Sequence, residues 1–107
     1  MEIKDYQEGA VRTLNPDLSH EEQVKNMLMG IQGETGEVAD MFKKYFYQGH
    51  PLDYAEVKEE IGDIFFYLFN LCTSLGFKVS DVLRENNEKL LKRYPDGFDK
   101  DKSLNRY

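Results

Sequence analysis

The chain has 107 residues, a formal net charge of −6 at pH 7 and one cysteine. One domain spanning residues 1–107 is expected at this length, and the acidic balance excludes a protein that grips nucleic-acid backbone through clustered Lys and Arg. The lone Cys72 excludes an internal disulfide and a thiolate zinc site. Met1-Glu2-Ile3-Lys4-Asp5 has neither the cationic nor the apolar region of a secretory signal. The longest apolar stretch, Ile64 to Cys72, is about half a membrane span and contains Asn70. These features predict a soluble cytoplasmic protein.

In chain order, a first helical block is predicted from about residue 2 to Leu14, stopped by Asn15-Pro16. Ser19 opens the second, with Glu22 three residues on to complete a capping box. Val24, Met27, Leu28, Ile31, Val38, Phe42, Tyr45 and Phe46 then recur at helical spacing to about Tyr47. Gly49-His50-Pro51-Leu52 reads as a loop. Asp53 and Glu56 begin a third block that carries Val57, Ile61, Ile64, Phe65, Leu68, Leu71, Cys72 and Leu75, and Gly76 ends it. Ser80 is expected to start a fourth, which carries Val82, Leu83, Leu90 and Leu91 and halts before Pro95-Asp96-Gly97. The last ten residues read as an extended tail.

The expected architecture is all-α: a four-to-five-helix bundle whose short connections make neighbouring helices antiparallel. Phe66 and Phe69 lie off the main stripe of the third block. Such a helix is buried on two faces, and a homodimer, homotetramer or other homo-oligomer would supply the second surface.

Two acidic pairs carry the chemical interest: Glu34-x-x-Glu37 and Glu60-x-x-Asp63. Residues three apart on a helix lie about 60° apart around its axis, so each pair projects to one side. Glu34 and Glu60 border the apolar arcs of their helices, and antiparallel packing of those arcs would bring the acids together at the rim. Four carboxylates there repel one another unless a cation neutralises them. All-oxygen ligation favours Mg²⁺, with Mn²⁺ as a substitute, over zinc. The Glu-x-x-His motifs of di-iron bundles are missing, and His20 and His50 read as surface residues. In so acidic a chain the same spacing also suits ordinary solvated helix faces, which is the expectation for Asp40, Glu56, Glu59 and Glu88.

The ordered motifs resemble the MazG-like family of all-α nucleoside triphosphate pyrophosphohydrolases. Gly33-Glu34-Thr35-Gly36-Glu37 matches its E-x-x-E segment, and Glu59-Glu60-Ile61-Gly62-Asp63 its E-x-x-D segment, with 22 residues between Glu37 and Glu60. Asn86, Lys89, Leu90, Arg93, Tyr94 and Pro95 match the N-x-x-K-L…R-Y-P helix. Tyr6 through Thr13 and the tail containing Gly97, Phe98, Ser103 and Arg106 extend the likeness over nearly the whole chain.

The resemblance implies hydrolysis of a nucleoside triphosphate between its α and β phosphates, giving monophosphate and pyrophosphate. It implies Mg²⁺ held by Glu34, Glu37, Glu60 and Asp63, with one of these acids or Glu59 as base. Lys44, Lys89 and Arg93 are the candidates to offset phosphate charge, with Lys43 and Arg12 behind them. Tyr67 and Asn86 are candidates to touch sugar, base or phosphate. Solvent exposure for the lysines and Asn86, and rim packing for Tyr67, are their structural alternatives.

Nucleotide-pool sanitation is the leading expectation. Phosphoribosyl-ATP pyrophosphohydrolysis is a second, and a non-catalytic helical oligomerisation or regulatory module a third. Gly30, Gly33 and Gly36 follow a helical pattern rather than a strand, so they are no dinucleotide fingerprint. Their cost in a helix, about 1 kcal/mol each relative to Ala, is expected to reflect close helix packing.

Overall fold

A computed structural model describes residues 1–105 of the chain. Helices α1 (Ile3–Ala10), α2 (His20–Gln48), α3 (Tyr54–Ser74), α4 (Val79–Arg93) and α5 (Lys100–Leu104) follow in order, with a 3₁₀ turn over Val11–Thr13. No strand occurs among the described residues, and no helix there is long and apolar enough to cross a membrane. Arg106, part of the family-like tail, lies outside the described residues.

Local chemistry sets most of the boundaries. Ser19 accepts from the Glu22 amide while the Glu22 carboxylate accepts from the Ser19 amide, a complete capping box. Gly49, at φ 69°, ends α2 in a left-handed conformation that side chains disfavour. Asp53 caps α3 by accepting from the amides of Ala55 and Glu56. At the other end, Phe77 donates to the Cys72 carbonyl at 2.8 Å and Gly76 to that of Thr73 at 3.1 Å. With Gly76 at φ 79° this is a Schellman motif, which satisfies carbonyls that the helix leaves unpaired.

The main packing unit is the antiparallel pair α2–α3, joined by the short loop around Pro51. Met27 and Val57 are buried between them, each worth about 1.5–3 kcal/mol when removed from water. Gly30 lets the two helices close: its bare backbone lies against the ring of Tyr67. Gly33 and Gly36 have no neighbour within 4 Å of where a Cβ would stand, so the packing expected for all three glycines holds only at Gly30.

Helix α1 crosses the far side of α3. The Tyr6 ring meets Phe69 edge-on at 4.9 Å. Asn70, fully buried, donates to the Ala10 carbonyl at 3.2 Å and so closes the end of α1. Gln7 spans three points of the α3–α4 turn, donating to Phe77 O at 2.8 Å and Thr73 Oγ1 at 3.0 Å and accepting from the Val79 amide at 2.9 Å. This side-chain cap starts α4 at Val79 rather than at Ser80.

Three further expectations are corrected. The first block is α-helical only to Ala10 and tightens into the 3₁₀ turn before Pro16. The tail is not extended throughout: Asp99 accepts from the amides of Asp101 and Lys102 and thereby nucleates α5. The surface of Phe69 is covered by Tyr6 of the same chain, not left for a partner. The open face of α3 lies instead along Ile61, Phe65, Leu68 and Leu75, all exposed. Leu83, Leu90 and Leu91 on α4 are exposed as well. The radius of gyration is 17.2 Å, against about 13 Å for a compact domain of this size.

Candidate metal centre

The antiparallel packing that places Gly30 against Tyr67 also brings Glu34, one turn further along α2, together with Glu60, two turns back along α3. Glu37 follows Glu34 on the next turn of α2. One carboxylate oxygen from each of Glu34, Glu37 and Glu60 lies within 4.8 Å of the other two. Glu34 and Glu60 are half-buried, whereas Glu37 and Asp63 are exposed. Oε2 of both Glu34 and Glu60 is shut away from solvent without a hydrogen-bond donor.

Such orphaned acceptors are rare, because a buried polar atom without a partner costs about 1–3 kcal/mol. No Lys or Arg forms an ion pair with these acids among the described residues. Among the described residues, therefore, no basic side chain offsets the negative charge. A hard divalent cation fits this donor set, since it would give both orphaned oxygens a partner and cancel the repulsion.

Electrostatics carry the same signature. The Glu60 carboxyl beside it holds that of Glu37 above its usual range, with a smaller push from the charge of Asp63. Glu60 is raised in turn, chiefly by Glu34. Asp63 stands outside the close trio, and its charge reaches both groups. The four predicted acids thus form three converging carboxylates with the fourth at their edge. Glu59 projects as an exposed residue beside Glu60.

The other predicted residues divide by helix. Lys44 is bound to Asp40 at 2.9 Å, and Lys43 reaches the same carboxylate at 3.5 Å. Lys44 foremost holds the Asp40 carboxyl below its usual range. Tyr67 is half-buried against Gly30, the rim-packing role. Asn86 is exposed on α4. Lys89 and Arg93 face a cleft of about 810 Å³ between α4 and α5 whose walls include none of the four acids. His20 is held at 2.6 Å by the Ser74 carbonyl and His50 is exposed, both apart from the acids. The cleft residues Lys92 and Lys102 escaped sequence reasoning, although Asp99 as a helix cap was a usable signal that the tail folds back.

Neither a curated protein nor a solved structure matches the chain. The model of the MazG nucleotide pyrophosphohydrolase domain does match, over residues 22–98, from the first turn of α2 past the end of α4. That span holds every acid of the cluster and most of the sequence, and the chain belongs to the MazG nucleotide pyrophosphohydrolase domain family.

Proposed function

We propose that this protein is a Mg²⁺-dependent pyrophosphohydrolase of (deoxy)nucleoside triphosphates, cleaving between the α and β phosphates to release a nucleoside monophosphate and pyrophosphate. The observation that carries the reading is the convergence of Glu34, Glu37 and Glu60, two of them with a buried oxygen that has no donor. Membership of the family supplies the reaction class.

In this reading Glu34, Glu37, Glu60 and Asp63 hold the metal, with Mn²⁺ as a substitute. Bound there, Mg²⁺ would polarise phosphate oxygens and lower the pKa of a water. Glu59, or an acid of the cluster not fully used in ligation, takes the proton of the attacking water. Lys89 and Arg93 offset phosphate charge, and Lys44 joins them if it leaves Asp40. Tyr67 and Asn86 are assigned to the nucleoside, Tyr67 because its ring already stands one turn from Asp63. The open space beside Gly33 and Gly36 leaves room for a ligand next to the acids. We assign the activity to nucleotide-pool sanitation in the cytoplasm, where a free Cys72 thiol is stable.

The exposed rows on α3 and α4 support a homo-oligomer, dimer or tetramer, as the working form.

Pyrophosphate release from a panel of triphosphates, with Mg²⁺ and with EDTA, tests the reading. Metal-dependent release that Glu60→Gln lowers by about two orders of magnitude or more is expected. Turnover in EDTA, or an unimpaired Glu60→Gln enzyme, overturns the metal assignment. Activity on phosphoribosyl-ATP alone would move the substrate assignment, and no release from any substrate would leave a non-catalytic module.

A further inference from the structure

Asn70 is the one fully buried polar residue among the described residues, and only half of its amide is used. Its Nδ2 donates to the Ala10 carbonyl at 3.2 Å, whereas Oδ1 meets no donor of the chain among the described residues. Turning the amide over does not help, because Oδ1 would then face the Ala10 oxygen, acceptor against acceptor. A buried acceptor without a donor costs about 1–3 kcal/mol, so native structures give such atoms a partner.

The surroundings decide what kind of partner. The rings of Tyr6 and Phe69 meet edge-on beside it. The Thr73 hydroxyl, one turn along α3, already donates to the Phe69 carbonyl at 3.2 Å, and the Gln7 amide is committed at both ends to the α3–α4 turn. The contact offers a ligand two acceptors: Asn70 Oδ1 and the second lone pair of the Ala10 carbonyl. That is too few for a metal ion such as Ca²⁺, which takes six or more oxygens. It suits a water, which has two hydrogens to donate, and buried waters hold two to four hydrogen bonds. Two clefts, of about 380 and 480 Å³, share Val11 and Thr73 as wall residues. Val11 follows Ala10 and Thr73 lies one turn from Asn70, so both clefts bring solvent up to this contact.

We infer that Asn70 holds a buried water between α3 and the end of α1, the water donating to Asn70 Oδ1 and to the Ala10 carbonyl. Helix α1 has no buried residue of its own. Its C-terminal end therefore rests on a two-part clasp, made directly by Asn70 Nδ2 and through the water by Oδ1. The clasp depends neither on the metal centre nor on the proposed activity.

The test is a high-resolution crystal structure of the full-length protein, together with water NOE and ROE spectra of the Asn70 side-chain amide in solution. A water within hydrogen-bond range of Oδ1 is expected in the crystal. Water cross-peaks of opposite sign in the two spectra, the mark of a long-lived water, are expected in solution. Asn70→Leu, close in size but apolar, should lose that water while circular dichroism shows the helices retained. An Oδ1 met by the Thr73 hydroxyl turned away from Phe69, by any other group of the chain, or by a metal ion overturns the inference. So does a contact with no water in it, or a water that stays in place in Asn70→Leu. The wild-type measurements decide the matter even if the variant does not fold.

Discussion

A Cβ added to Gly30 would run into the ring of Tyr67. That contact seats α2 against α3 one turn from Glu34, where the acids of the two helices converge. Gly30→Ala gains helix propensity of about 1 kcal/mol but must displace an aromatic ring, and overpacking costs about 1–3 kcal/mol. Gly33→Ala meets nothing and keeps the propensity gain. Thermal melts should therefore separate the two variants in opposite directions. Gly30→Ala falls below wild type, and Gly33→Ala rises by several degrees, since about 1 kcal/mol shifts the midpoint roughly 4–8 °C in a domain of this size.

Much of this fold was legible because its signals are local. Ser19 with Glu22, Asp53 before α3, and Gly76 after it act through the backbone of their own turns, so the residues alone announce the boundaries. Glu34 and Glu60 were legible for a related reason: helical spacing puts them beside apolar arcs that pack together. The features that escaped depend on residues distant in sequence. Nothing near Phe69 announces that Tyr6 will cover it, and the free face consequently falls on Phe65 and Leu68. The cap on α4 comes from Gln7, more than seventy residues upstream of Val79, and no spacing rule could point to it.

That cap makes a prediction of its own. Gln7 supplies three hydrogen bonds to the α3–α4 turn, and α4 has few other attachments to the body of the molecule. Each bond is worth about 0.5–1.5 kcal/mol net, so Gln7→Ala should lose roughly 2 kcal/mol in urea unfolding. Hydrogen exchange locates the effect: the Val79 amide should exchange faster, while the amides around Met27 keep their protection relative to global stability. Uniform acceleration across both helices would show that Gln7 is not a local clasp.

Proton linkage at the acid cluster has a definite sign. Glu37 and Glu60 titrate above the ordinary 4.5 in the folded chain, Glu37 mainly because of Glu60 and Glu60 mainly because of Glu34. The folded state therefore binds more protons than the unfolded chain just above that pH, and stability contributed by these groups declines as pH rises from about 4.5 through their raised pKa values. Asp40, lowered by Lys44, acts oppositely and at lower pH. The difference between wild type and Glu60→Gln in EDTA isolates the cluster. Relative to the variant, wild type should lose melting temperature between about pH 4.5 and 7, and Mg²⁺ at neutral pH should restore it. A relative gain over that range would contradict the mutual repulsion.

The apolar row on α3 bears on assembly. Ile61, Phe65 and Leu68 recur every three or four residues along α3, Leu75 follows two turns on at its C-terminal cap, all four are exposed, and Phe65 is 52% exposed. A lone exposed Phe needs no explanation, but a row of four along one helix is a surface that water disfavours. A second copy presenting the same row would cover both, as an isologous contact requires. Phe65→Glu would then put two carboxylates into one apolar seam, one from each copy, and burying unpaired charge there costs more than the seam returns. Sedimentation velocity should show wild type as a dimer or larger species and Phe65→Glu shifted toward monomer, with helical content retained because α2 and α1 still hold α3. Glu56→Gln, an exposed change about 180° around the same helix from Phe65, should leave the assembly unchanged. If Phe65→Glu sediments like wild type, the row is not the seam, and the exposed leucines of α4 become the face to test.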